Sequence, residues 1–262
     1  MVDSSRRRGR RREVMSSHNR CWIWGRNVVR ETLRAGRWPI LELLVSADLE
    51  EKLLNEVQRL SDRKGVELLA VSDAELTKAC RTGEHQGLAA RMAPFPCQGV
   101  DEFLSTLPAD AVVVVLDRLQ DPFNFGAIIR SASTLGIRRL VLGAHGPVDV
   151  NSQVARSSVG AVTHLPIART DDLARLVDLL REQGYQVVAA SEKARVPLFE
   201  ADFRQPTVMI IGNEGSGISS ELLSRCDVSV SIPMSGRVGS LNAAVAAGIL
   251  FYEMRRQRIT TK

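Results

Sequence analysis

Three times after residue 110 this 262-residue chain runs from a block of mainly aliphatic residues into a loop rich in glycine and asparagine, then into a helical pattern. The blocks lie at 112–116, 208–211 and 228–232, and the loops at 117–126, 212–217 and 233–242. An uninterrupted aliphatic run such as Val-Val-Val-Val-Leu reads as a strand buried on both faces of a parallel sheet. In an open α/β sheet, loops at the carboxyl ends of strands build the ligand site.

Periodicity elsewhere supports that class. Helical spacing is predicted over 126–135, 152–158, 173–183, 220–224 and 242–256, alternating with extended segments at 139–142, 164–167, 186–190 and 207–211. A smaller α/β unit precedes it. There Val28, Val29 and Leu33 suit a helix face, with a strand at 41–45, a helix at 49–60, and further strands at 66–71 and 88–90. The run Ala93-Pro-Phe-Pro-Cys-Gln-Gly breaks every regular pattern. The expected organisation is a basic tail at 1–20, a small domain at 21–93, a linker at 94–108 and a larger parallel-sheet domain at 109–262.

Charge is concentrated at one end. Residues 1–13 hold six arginines against Asp3 and Glu13, which accounts for most of the formal net charge of +5. Such a run is expected to be a disordered, solvated segment, and it suits the release of counterions from a phosphate backbone, so nucleic acid is an expected partner. Cys21, Cys80, Cys97 and Cys226 are scattered without a C-x-x-C pair, and the four histidines show no ligand spacing. Neither a disulfide framework nor a metal site is expected. No apolar run is long enough to span a bilayer or form a secretory signal, which points to a cytoplasmic protein.

Taken singly, each loop is explained by structure as well as by chemistry. Asn124 suits a helix N-cap after Pro122, and Arg130, six residues on, suits either a solvated helix face or the mouth of the sheet. Gly212-Asn-Glu-Gly-Ser-Gly217 lacks the Lys-Ser/Thr of a Walker loop and does not match G-x-G-x-x-G. Its Glu214 needs hydrogen-bond donors or exposure. Ser240 suits a cap for the last helix. His85 suits a packing residue and an RNA contact equally.

Together and in order, Asp121-Pro-x-Asn-x-Gly126 with Arg130, Ile211-Gly-Asn-Glu-Gly-x-Gly217 and Ile232-Pro-Met-x-Gly-x-Val-x-Ser-Leu-Asn242 resemble the three motifs of the SpoU/TrmH family in the SPOUT superfamily, RNA ribose 2′-O-methyltransferases. The first unit, with Gly25-x-Asn-x-Val and His85-Gln-Gly87, is similar to the L30e-like substrate-binding domain found in the branch acting on guanosine of large-subunit ribosomal RNA. The resemblance implies S-adenosyl-L-methionine as cofactor, a deep trefoil knot, and a homodimer with active sites shared between subunits. It nominates Gly212, Ile232 and Leu241 for cofactor contacts and Asn124, Arg130, Glu214, Ser240 and Asn242 for the active site. Gly239 and Ala244 stand where many relatives carry serine, and Phe123 where histidine is frequent. Other readings are a transfer-RNA guanosine 2′-O-methyltransferase and a non-catalytic RNA-binding ribosome-assembly protein.

Overall fold

The computed structural model describes residues 22–143, 148–237 and 239–259. The arginine run, His18, Cys21 and His145 lie outside the described residues. The chain forms two compact units: residues up to Pro96 together with Val150–His164, and Cys97–Asp149 together with Leu165 onward.

The first unit begins with β1 (Trp22–Trp24), α1 (Arg26–Ala35), β2 (Ile40–Ser46), α2 (Glu51–Lys64), β3 (Leu68–Val71), α3 (Asp73–Cys80) and β4 (Leu88–Met92). Its sheet runs β1-β4-β2-β3, with only the β2–β3 pair parallel. Helix α1 buries Val28, Val29 and Leu33, as their spacing requires. A turn at 85–87 holds that helix in place. The Gly87 N–H donates to His85 Nδ1 at 3.1 Å, so the ring proton sits on Nε2, 3.2 Å from Thr77 Oγ1. Gln86 Oε1 accepts from the backbone N–H of Arg26 at 3.0 Å, serving one of the donors left free at the start of α1. His85 is therefore buried with both ring nitrogens engaged, a packing residue.

The second unit opens with α4 (Val100–Ser105), β5 (Val112–Leu116), α5 (Pro122–Thr134) and β6 (Leu140–Gly143). Next come α6 (Ser152–Ser157) and a 3₁₀ turn at Ala161–His164, which belong to the first unit. There the Arg156 guanidinium lies 4.8 Å from the centre of the Trp24 ring and bonds Glu84 at 3.0 Å. The second unit resumes with β7 (Ile167–Thr170), α7 (Leu173–Glu182), β8 (Gln186–Ala190), β9 (Val196–Pro197), β10 (Thr207–Ile211), α8 (Ser220–Leu223), β11 (Val228–Ser231) and α9 (Ala243–Ile259).

All seven strands of the second unit are parallel, in the order β7-β6-β5-β10-β8-β11-β9. Every residue of β5 and of β10 is buried, as expected for central strands covered on both faces. Strands β1 and β9 have no counterpart in the sequence reading, and other segments differ from it. Residues 94–108, expected as a linker, contain α4, whose fully buried Phe103 packs into the core of the second unit. The segment at 164–167 was expected to be extended, but its start closes a 3₁₀ turn, in which Thr163 donates to Gly160 O through both its N–H and its hydroxyl. The helix expected from 126 begins at Pro122, because Asp121 accepts from the Phe123 N–H at 3.0 Å and proline at the first position needs no donor.

The far end of α9 is tied down by Arg258. Its guanidinium donates to Phe203 O at 2.8 Å and to Asp110 O and Gln205 O at 2.6 Å each. Burial pulls its pKa below the usual arginine value, with the Asp110 carboxylate opposing that shift. Arg258→Ala would leave three carbonyls without a charged donor and should lower stability by about 2–3 kcal/mol, at roughly 1.5–3 kcal/mol for a hydrogen bond to a charged group with discount for partial exposure. Urea denaturation should show a lower midpoint at unchanged slope.

Candidate active site

Strand order places the three motif loops together. Strand β10 pairs with β5 on one side and β8 on the other, so the residues after β5, β10 and β8 leave the sheet at one edge. A cavity of about 410 Å³ opens there. Its walls come from the end of β8 (190–193), the loop after β10 (211–218), the segment after β11 (Ile232, Met234, Ser240, Leu241) and the first turns of α9. That size is ordinary for a small-molecule site.

The loop after β10 is rigidly built. Asn213 and Gly217 exchange backbone hydrogen bonds at 3.1 and 2.9 Å, and Asn213 Oδ1 accepts from the N–H groups of Gly215 and Ser216 at 2.9 and 3.1 Å. Gly212 has no space for a side chain: a Cβ there would lie 2.3 Å from the Gly217 carbonyl carbon. The buried Asp117 fastens this loop to the end of β5. Its Oδ2 accepts from the Ser219 N–H at 2.7 Å and its Oδ1 from Arg118 Nε at 3.2 Å. Arg118 adopts a left-handed backbone (φ 57°), with its carbonyl accepting from Asn213 Nδ2 at 3.0 Å and its Nη2 donating to Gly217 O at 3.3 Å. These contacts hold an uncommon backbone conformation in place.

Three motif residues form one hydrogen-bonded line. Asn242 Oδ1 accepts from the N–H groups of Ala244 and Val245 at 2.9 and 3.3 Å, capping α9. Its Nδ2 donates to Asn124 Oδ1 at 2.9 Å, and Asn124 Nδ2 donates to Glu214 Oε1 at 2.6 Å. Backbone donors at one end and an acceptor-only carboxylate at the other fix the orientation of both amides. The second Glu214 oxygen has no partner among the described residues.

Two expected caps are therefore placed differently. Asp121 caps α5, and Asn124 lies inside that helix with its side chain committed to Glu214 and Asn242. Asn242 caps α9, and Ser240 lines the cavity. Gly212, Ile232, Leu241, Glu214 and Ser240 are all cavity walls. Arg130 is not. It lies on α5 six residues past Asn124, roughly 9 Å along the helix axis at 1.5 Å per residue, exposed and without an ion-pair partner among the described residues. A Cβ on Gly239 would meet nothing within 4 Å, so no crowding demands glycine there.

Sequence reasoning assigned no role to the Asp117–Arg118 clamp or to Ser191, Glu192 and Lys193 at the end of β8. The position of 191–193 just past a predicted strand was an available signal. Burial pushes the thiols of Cys80 and Cys226 up to about 11, which keeps both protonated and unsuited to nucleophilic work.

The model of the SpoU rRNA methylase family matches residues 111–252, and that of the RNA 2′-O ribose methyltransferase substrate-binding domain matches residues 22–97. An uncharacterized tRNA/rRNA methyltransferase of Mycolicibacterium smegmatis is 37% identical over 241 residues, covering 90% of this chain and 76% of that protein. YacO of Bacillus subtilis, named for the TrmH family of tRNA/rRNA methyltransferases, is 32% identical over 240 residues, covering 90% and 96%. The SpoU methyltransferase AviRb from Streptomyces viridochromogenes, solved in complex with AdoMet, has a TM-score of 0.78 at 29% identity over 94% of this chain and 93% of its own. An AdoMet-bound rRNA methyltransferase from Sinorhizobium meliloti has a TM-score of 0.78 at 28% identity, over 94% and 90%. The chain belongs to the SpoU rRNA methylase family of TrmH-type RNA methyltransferases.

Proposed function

We propose that this protein transfers a methyl group from S-adenosyl-L-methionine (AdoMet) to the 2′-hydroxyl of a guanosine in RNA, with large-subunit ribosomal RNA as the substrate. The observation that carries this reading is the Asn242–Asn124–Glu214 line, which joins all three motifs at a cavity walled by Gly212, Ile232 and Leu241. The walls suit AdoMet. Ile211, Ile218, Val230 and Leu250 offer apolar surface to an adenosyl group, and carboxylates of Glu214 and Glu192 complement a sulfonium and an ammonium. The match to the SpoU rRNA methylase family supports ribosomal RNA, and the substrate-binding domain at 22–97 supports a ribose 2′-hydroxyl of RNA as the target.

When bound, AdoMet supplies an electrophilic methyl on sulfur. Gly212, Ile232 and Leu241 would hold the cofactor, whose methyl the 2′-oxygen would accept with loss of a neutral thioether, and the hydroxyl proton would pass to a phosphate oxygen or water. An arginine is a poor base because its guanidinium stays protonated. Arg130 therefore acts by holding the neighbouring phosphate and polarising the hydroxyl, while Asn124, Glu214, Ser240 and Asn242 fix the loops around the reacting centre. Much of the acceleration is positional.

A homodimer belongs to the same proposal. Val245, Ile249 and Tyr252 recur at helical spacing on α9 and are exposed, and Phe123 on α5 is 59% exposed. An apolar stripe left uncovered on the 243–252 part of α9, which carries no charged residue, suits a second copy of the chain. Because Arg130 does not line the cavity of its own subunit, the partner copy would supply it. The trefoil knot and cytoplasmic location complete the proposal, and family membership supports both.

Ribose-methylation mapping of ribosomal and transfer RNA, with and without the protein, tests the substrate. A new site in transfer RNA alone would replace ribosomal RNA in the assignment. Arg130→Ala should lower single-turnover transfer by about 100-fold or more, the scale of removing one group that stabilises a transition state, while AdoMet affinity changes less than about twofold. Glutamate at both Val245 and Tyr252 should give monomers in sedimentation analysis and abolish transfer. Removing residues 1–13 should weaken RNA binding and reduce the slope of log affinity against log salt by about 0.7–0.9 for each phosphate that the arginines no longer neutralise.

A further inference from the structure

The cavity carries three ionisable side chains among its lining residues: Glu192, Lys193 and Glu214. Glu214 is committed through one oxygen to Asn124, and Lys193 is the only cation in the lining among the described residues. Its ammonium has no ion-pair or hydrogen-bond partner among the described residues, although Glu192 is adjacent in sequence. The backbone under it is fixed. Ser191 N–H donates to Val230 O at 2.9 Å, Ala194 N–H closes the turn onto Ser191 O at 3.1 Å, and Lys193 N–H donates to Ser191 Oγ at 3.3 Å. A compact turn thus presents a lone ammonium on the β8 wall, while Glu214 stands on the β10 wall.

AdoMet has two cationic centres, the sulfonium and the α-ammonium, and one anion, the α-carboxylate. Two carboxylates and one ammonium line the cavity, the complementary set. We infer that Lys193 binds the α-carboxylate of the cofactor and sets the preference of this site for the complete amino-acid moiety. This rests on the AdoMet reading above and extends it to a residue outside the three motifs. The attraction is charge-assisted.

Calorimetric titration of the purified protein with AdoMet and with decarboxylated AdoMet, which lacks that carboxylate, is the test. The wild type should prefer AdoMet by about tenfold or more, in the range of a hydrogen bond between charged groups. Lys193→Met should weaken AdoMet by a similar factor, leave decarboxylated AdoMet unchanged and bring the two affinities together. Lys193→Arg should retain most of the preference. Unchanged AdoMet affinity in Lys193→Met, with the wild type binding normally, overturns the inference alone; a matching loss of RNA affinity would then assign the lysine to a phosphate of the substrate. Absence of AdoMet binding by the wild type overturns both this inference and the reading it rests on. Thermal denaturation of each variant checks that the fold is retained.

Discussion

The pairing of β10 between β5 and β8 is the constraint on which the site depends. Its backbone hydrogen bonds set the register of three strands, of which β5 lies about seventy residues or more ahead of the other two in sequence, and parallel orientation brings their carboxyl ends to one edge. The glycine-rich loop after β10 then stands beside the loop after β5. Asp117 and Arg118 convert that adjacency into fixed geometry by bonding to Ser219, Asn213 and Gly217.

On this frame the polar line has a direction. It starts at the free N–H groups of α9, passes through two amides whose orientations are forced, and ends on the Glu214 carboxylate. Each member is satisfied by the next, so the arrangement needs no ligand to exist. One carboxylate oxygen remains available to whatever enters, which is the state expected of a preorganised site. The anchoring of α9 at its other end by Arg258 and Gln257 steadies the helix whose first turn is capped by Asn242.

Much of this is legible in the order of residues. The strands at 112–116, 186–190 and 207–211 have the predicted extents, because uninterrupted aliphatic runs in a parallel sheet have one stable environment, burial on both faces. Helix α4 is not legible. Its six residues follow a proline-rich break and carry too little periodicity to register, and Phe103 declares itself only by what it packs against. Local reading also favours Asn124 over Asp121 as the cap, since both residue types cap well and the two positions lie three apart. Residues 150–164 follow a strand of the second unit in sequence yet count with the first, through contacts such as His164 to Glu31 at 2.9 Å.

Residue order alone was enough for the class of sheet, for the three loops and for the family to which they belong, because periodicity and motif spacing are local properties. Tertiary structure decided the rest. That Asn124 touches Glu214 and Asn242, that Ser240 faces a cavity, that Arg130 stands away from it and that Lys193 joins its wall depend on which strands become neighbours. Strand order is settled by the burial of whole faces and by long-range backbone pairing, and no local window of sequence contains that information.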